Sequence, residues 1–160
     1  MSGLTTALVI FAALGTALVG GIFFAFSNFV MQALARAPGI EGMRVMQGIN
    51  VTVLNGGFLG LFMGTALICL CLIVVAVMDR SLVHSVYLVV GALSYLGGTW
   101  ALTAFGNVPL NNTLAQVSPD DPHANDVWAN YLHRWTRLNS QRTICALLSA
   151  LVFCAALVRS

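Results

Sequence analysis

Four long stretches of this sequence carry almost no charge, and nothing else restricts the chain so strongly. The first runs over residues 4–31, the second over 53–78 and the third over 83–105. The fourth, "TICALLSALVFCAALV", covers only 143–158. At 1.5 Å per residue that is about 24 Å of helix, short of a bilayer core of about 30 Å. It follows "DVWANYLHRWTRLNSQR", which is polar but compatible with a helix. One long helix that starts outside the hydrocarbon and enters it near Arg142 accounts for both pieces. Inside lipid every backbone N–H and C=O must be satisfied by the chain itself, and runs of this length do so as helices. The fold expected is all-α: an integral membrane four-helix bundle with a long, partly extramembrane fourth helix, as a single domain over 1–160.

Charge supports the same class. Only 8% of residues are charged and 59% are hydrophobic, against about 25% charged in an average soluble domain. Seven arginines, no lysine and five acids give a net charge of +2. No basic patch exists for nucleic acid. The N-terminal stretch lacks a basic start and is longer than the roughly 7–15 apolar residues of a signal peptide, so it is expected to remain as a span. Cys69, Cys71, Cys145 and Cys154 all lie in apolar runs without metal-ligand spacing and read as small core residues.

The connections differ in length. "MDRSLVHS" forces the second and third spans into an antiparallel hairpin. The longer connections, 32–50 and 106–127, share the other membrane face, and "SPDDPHAND" is a clear loop. Arg36, Arg44, Arg134 and Arg137 lie on that face, against Arg80 and Arg159 on the other. The positive-inside rule then puts the long loops in the cytoplasm and both termini outside. Gly56, Gly60 and Gly64 keep one helix face small, as do Gly91, Ser94 and Gly98. Such faces let helices approach closely in lipid. Packing within the bundle is the expected use, with a homo-oligomer seam as the alternative.

Polar residues within a membrane tend to mark function, and here they gather toward the long-loop face. Ser27 and Asn28 close the first span, and Gln47, Asn50 and Asn55 open the second. Asn107, Asn111 and Asn112 follow the third, while Asn139, Gln141 and Arg142 enter the fourth. At about 100° per residue, Trp128, Tyr131, Trp135, Asn139 and Arg142 fall within an arc of roughly 80°. Arg134 and Arg137 point elsewhere, toward water or lipid headgroups. In the first span Gly20, Phe24, Ser27, Asn28 and Met31 share a face, and Gln47 and Asn50 lie one turn apart. Pro109 disfavours helix at Val108, so the third span is expected to break or bend there, with Asn107 capping the turn that follows. Asn111 has no such role, and Arg142 is the partner expected beside it.

Other chemistries lack their residues. His84 lies across the bilayer from His123 and His133, so no haem or metal pair forms within it. There is no Gly-rich nucleotide fingerprint, no Ser-His-Asp arrangement and no carboxylate pair. An enzyme built on this chain is expected to work without a tightly bound cofactor or metal, or to borrow one.

"FFAFSNFVMQAL", "MQGIN", "FGNVPLNNTLA" and "WANYLHRWTRLNSQRT" follow one another in this order. Together they resemble the bacterial four-span membrane family that includes the fungal anthrone oxygenases. The resemblance covers nearly the whole chain and is most specific at the Asn-Val-Pro-Leu-Asn turn and the Trp-x-x-x-Asn-x-x-Arg-Thr helix. It implies a bacterial inner-membrane location and oxidation of an anthrone or similar hydrophobic phenol by O₂ without flavin or metal. Such a site needs an aromatic slot, a base and donors for an oxyanion. By position, Trp128, Tyr131 and Trp135 would form the slot, with Phe24 and Asn28 beside it. Arg142 and Asn139 would hold the phenolate as the catalytic pair, and Asn107, Asn111, Gln47 and Asn50 would close the polar end. The family often carries a histidine directly after the asparagine of the fourth helix. This chain has Ser140 there, which cannot act as a base unaided. Two other functions fit the same residues. One is non-catalytic binding of a quinone, lipid or other amphiphile, as in a small subunit of a membrane complex. The other, a transporter or channel, lacks polar residues continuing through the membrane.

Overall fold

The computed structural model describes residues 1–78 and 82–159. The described residues form helices α1 (Gly3–Ala25), α2 (Met31–Ala35), α3 (Glu41–Thr52), α4 (Gly56–Met78), α5 (Leu82–Tyr95), α6 (Val108–Ala115) and α7 (Ala124–Val158). Three wider π-helical segments, Phe26–Val30, Leu96–Ala101 and Thr103–Asn107, join some of them end to end. The result is four helices long and apolar enough to cross a membrane: Gly3–Ala35, Gly56–Met78, His84–Ala115 and Ala124–Val158. Among the described residues there is no strand. The expected all-α membrane bundle is therefore the fold, including the single helix of 35 residues at its C-terminal end.

Local chemistry explains several helix ends. Ser2 caps α1 by accepting from the Thr5 N–H at 3.2 Å, and Asn55 caps α4 by accepting from the Phe58 N–H at 3.0 Å. Each satisfies one of the donors a helix start leaves free. Glu41 and Asp126 sit in the first turns of α3 and α7, where the helix dipole favours an anion. Gly39, at φ +53°, makes the left-handed turn before α3.

Of the break or bend expected at Pro109, the structure shows a widened turn and no break. The third long helix continues to Ala115, and Asn107 has helical angles and makes no capping bond. The Val108 N–H bonds to the Thr103 carbonyl, a wider π turn. That widening relieves the clash a proline ring makes with the preceding turn in a regular helix. The long connections are likewise shorter as loops than expected. Residues 41–52 of the first are helix α3, and the third is reduced to residues 116–123. Of the hairpin connection 78–85, Asp79, Arg80 and Ser81 lie outside the described residues, as does the orientation count on Arg80.

Two apolar clusters hold the helices together. One fills the bundle between Val9, Val19, Phe62, Leu72, Leu88 and Phe153. The other, around Met31, Met43, Met46, Leu114 and Trp128, fastens α2, α3 and α6 onto the first half of α7. Within the bundle, glycines permit close approach where a Cβ would collide. At Gly91 it would meet the Phe153 ring at 2.7 Å, and at Gly98 it would meet the Cys145 side chain. Gly56, Gly60 and Gly64 differ: nothing lies within 4 Å of a Cβ built on any of them. This face does not pack within the bundle as expected. Tyr95 and Ser149 add buried hydrogen bonds between helices, to the Phe62 carbonyl at 3.0 Å and the Gly91 carbonyl at 2.7 Å.

Candidate functional site

The inward stripe of α7 is where its 100° periodicity places it. Trp128, Tyr131, Trp135, Asn139 and Arg142 are all buried, while Arg134 and Arg137 are exposed. The guanidinium of Arg142 is held on several sides. One terminal nitrogen donates to Thr103 Oγ1 at 2.9 Å and the other to Asn139 Oδ1 at 2.6 Å. Its carbon lies 4.1 Å from the Phe23 ring centroid and 5.4 Å from that of Trp135. Its Nε is buried with no hydrogen-bond partner. No carboxylate balances it: among the described residues the ion pair present is Arg44–Glu41, at 3.3 Å on the surface.

Asn139 is a positioning residue by its contacts. Its amide nitrogen donates to the Phe23 carbonyl at 2.6 Å and to Ser27 Oγ at 2.7 Å, leaving its oxygen for Arg142. Ser140, at the histidine position of the family pattern, bonds to Ser27 Oγ and the Thr136 carbonyl. It does not line the cavity described next. Thr99 and Thr103 complete the mount, with Thr99 Oγ1 donating to the Arg142 carbonyl at 3.2 Å. The three π segments all lie around this point, consistent with their habit of occurring at functional sites.

Arg142 faces a cavity of about 440 Å³, within the range of small-molecule sites. Phe23, Phe26, Phe58, Phe62, Trp100 and Trp135 supply much of its apolar wall, and Gln47, Asn50, Thr103, Asn107, Asn111 and Asn112 its polar groups. Asn107 Nδ2 donates to the Trp135 carbonyl at 3.3 Å, but its Oδ1 is buried without a partner. Arg142 and Asn107 both border this cavity, and each keeps one fully buried polar atom without a partner. Unpaired buried polar groups cost free energy, so both residues are held here at some cost to the fold.

The remaining expected residues divide cleanly. Asn111 is paired with aromatic donors rather than with Arg142. Its Oδ1 accepts from the Tyr131 hydroxyl and from Trp135 Nε1, both at 2.9 Å. Gln47 donates to the Leu114 and Val117 carbonyls, and Asn50 donates to the Tyr131 hydroxyl at 3.4 Å. Trp128 and Tyr131 stack with ring centroids 5.6 Å apart, and Tyr131 and Trp135 at 6.2 Å. The rings fill one another's space, so only Trp135 of the three faces the cavity. Phe24 and Asn28 do not join the site. Phe24 is 52% exposed and Asn28 is exposed too, because α1 turns its Gly20 and Phe23 side toward α7. Phe23, Phe26, Trp100 and Thr103 occupy the site without having been singled out from sequence. Thr99 and Thr103, two hydroxyls one turn apart in an apolar span, were the signal available there.

Among the described residues no group of three or more His, Cys, Asp or Glu is placed to hold a metal. All four cysteines are free.

The fold and this cavity define a four-helix membrane protein with a cationic, aromatic-walled site near one membrane face. The chain belongs to the anthrone oxygenase family: the family model described as Anthrone oxygenase matches residues 58–152, more than half its length. No curated protein and no solved structure matches the chain. The matched stretch contains Thr103, Asn107, Asn111, Trp135, Asn139 and Arg142, whereas Phe23, Gln47 and Asn50 precede it.

Proposed function

We propose that the chain oxidises a flat, hydrophobic phenol or anthrone-type molecule with O₂ in the Arg142 cavity. The observation that carries this reading is a buried guanidinium with no carboxylate partner, turned into an aromatic-walled space. A desolvated cation without a counter-ion favours an anion beside it. An anthrone that loses a proton from its acidic methylene becomes such an anion, with the charge on its oxygen. Arg142 would hold that oxyanion, with Asn139 and Thr103 fixing the fork, and Asn107 would border the bound substrate.

None of the residues lining the cavity besides Arg142 is ionisable. The proton is therefore given to water at the exposed Asn112 edge, and Arg142 supplies the driving force by stabilising what remains. The anion transfers one electron to O₂, and the carbon radical and superoxide combine to a peroxide. Protonation and loss of water leave the ketone, so that one CH₂ and one O₂ become one C=O and one H₂O. The protein's part is to orient the substrate and stabilise its charge.

Emodin anthrone added to the purified protein in vesicles should consume O₂ and produce quinone absorbance. Activity that survives both Arg142→Ala and Asn139→Ala would rule out this site. The absence of a base among the lining residues also favours a second reading, non-catalytic binding of a quinone, phenol or similar amphiphile. Tight binding of emodin with no O₂ uptake from its anthrone would select that reading. Exposed Arg36, Arg44, Arg134 and Arg137 at the long-loop end support a cytoplasmic placement of that end in a bacterial inner membrane.

A further inference from the structure

Besides an exposed rim at Val51, Leu54, Asn112 and Ala115, the cavity has two boundaries of different chemistry. Toward the long loops it is roofed by α3, and that roof is hydrogen-bonded: Gln47 holds the Leu114 and Val117 carbonyls, and Asn50 reaches the Tyr131 hydroxyl. Between the second and third long helices the boundary is apolar. It consists of Leu59, Met63, Trp100 and Val108, of which Leu59 is 38%, Met63 49% and Val108 40% exposed. These side chains face the space that acyl chains occupy. The same two spans are tied together by Ser85 to the Ala76 carbonyl, far from the cavity, and by Tyr95 to the Phe62 carbonyl behind its wall. At the mouth a single polar contact crosses the gap, Trp100 Nε1 donating to Met63 Sδ at 3.3 Å.

Opening these boundaries has unequal consequences. Lipid tails are as apolar as Leu59 or Val108, so parting those side chains exchanges one apolar contact for another. Parting the roof would strip hydrogen bonds from groups half-buried against the site. The outer side of α4 beside the mouth is also unobstructed, since nothing lies within 4 Å of a Cβ at Gly56 or Gly60.

We propose that the ligand of this cavity enters and leaves through the bilayer, between the second and third spans, past a latch formed by Met63 and Trp100. The latch selects flat, membrane-dissolved molecules that pass edge-on with their acidic group leading toward Arg142. Water-soluble, permanently charged molecules are excluded at this apolar mouth. This rests on the cavity being the binding site and adds the route to it and the residues that filter entry.

The test measures binding rather than turnover, with emodin dissolved in phosphatidylcholine vesicles containing the protein and its visible absorbance followed by stopped flow. Met63→Trp, which narrows the mouth, should slow association and dissociation by the same factor, several-fold or more. Trp100→Ala, which removes the latch, should speed both. Leu70→Trp, on the lipid-facing side of α4 away from the cavity, should change neither. A sulfonated, membrane-impermeant emodin added to the water should not bind. Rates that stay unchanged in both mouth variants, or binding of the sulfonate from water, would overturn the lateral route. Arg142→Ala separates this from the underlying reading. Emodin that still binds that variant refutes the cavity as the site, whereas binding lost there with unmoved rates in the mouth variants refutes the route alone.

Discussion

Arg142 and Phe23 form a cation–π pair in which the guanidinium carbon sits 4.1 Å from the ring centroid. Such a contact contributes about 2 kcal/mol when desolvated, less than the several kcal/mol of removing an ion from water. Hydrogen bonds from Thr103 and Asn139 reduce the difference, but Nε remains unpaired. The charge is kept in place by its neighbours without being neutralised by them. A site of this kind favours binding an anion over stabilising the empty fold.

The first prediction follows from that imbalance. Arg142→Met should abolish emodin binding and any O₂ uptake while leaving the unfolding temperature unchanged or raised, because it removes an uncompensated buried charge. Asn139→Ala should lose both function and stability, since its amide also bonds the Phe23 carbonyl and Ser27. Thermal unfolding in detergent, measured beside ligand binding, separates the two patterns. A large loss of stability in Arg142→Met would show that the guanidinium is structural.

Asn111 holds two buried donors with one oxygen. Asn111→Ala should leave the Tyr131 hydroxyl and Trp135 N–H unsatisfied and destabilise the protein by about 2–4 kcal/mol. Tyr131→Phe in the same background should recover part of the loss, because one of the orphaned donors is then gone. The double-variant cycle reads this directly; additive losses would contradict the shared acceptor.

The glycines separate into two classes. Gly91→Ala should destabilise by about 1–3 kcal/mol, the usual cost of forcing extra volume into a packed core, because its Cβ would meet the Phe153 ring. Gly60→Ala and Gly64→Ala meet nothing and should be neutral or stabilise by up to about 1 kcal/mol through helix propensity. Unfolding midpoints of the three variants decide it. If Gly60→Ala instead alters the oligomeric state on sizing, that outer face is a seam between copies.

The dependence on pH should follow the substrate. Because the reactive species is the anion, turnover should rise with pH through the ionisation of the bound substrate and then level off. No separate limb from a protein base is expected, since none lines the cavity. His133, exposed on the outer side of α7, should be replaceable by Gln with the profile unchanged. A bell-shaped profile, or one that shifts in His133→Gln, would identify a protein group in the proton transfer.

Much of this molecule is local, and what is local is legible in the sequence. The length of each apolar run decides that it is a helix, because lipid offers the backbone no other partner. Helical periodicity alone places Trp128, Tyr131, Trp135, Asn139 and Arg142 on one face and Arg134 and Arg137 on another. Pro109 shows where local inference fails. The widened turn ending at Asn107 admits the ring without a break, and the third span runs on into α6.

Which of those faces meet, and what lies between them, depends on packing between residues distant in the chain. Phe23 rather than Phe24 borders Arg142, Asn111 pairs with Tyr131 and Trp135, and Gly56, Gly60 and Gly64 face outward. Core and lipid are equally apolar, so hydrophobicity marks no inner side of a transmembrane helix. The sequence determined four spans, a polar end and an inward stripe on the last of them. The choice among helix faces rests on close fits such as Gly91 against Phe153 and on hydrogen bonds between residues as far apart as Phe23 and Asn139. Those fits create the cavity, its unpaired guanidinium and its opening toward the bilayer.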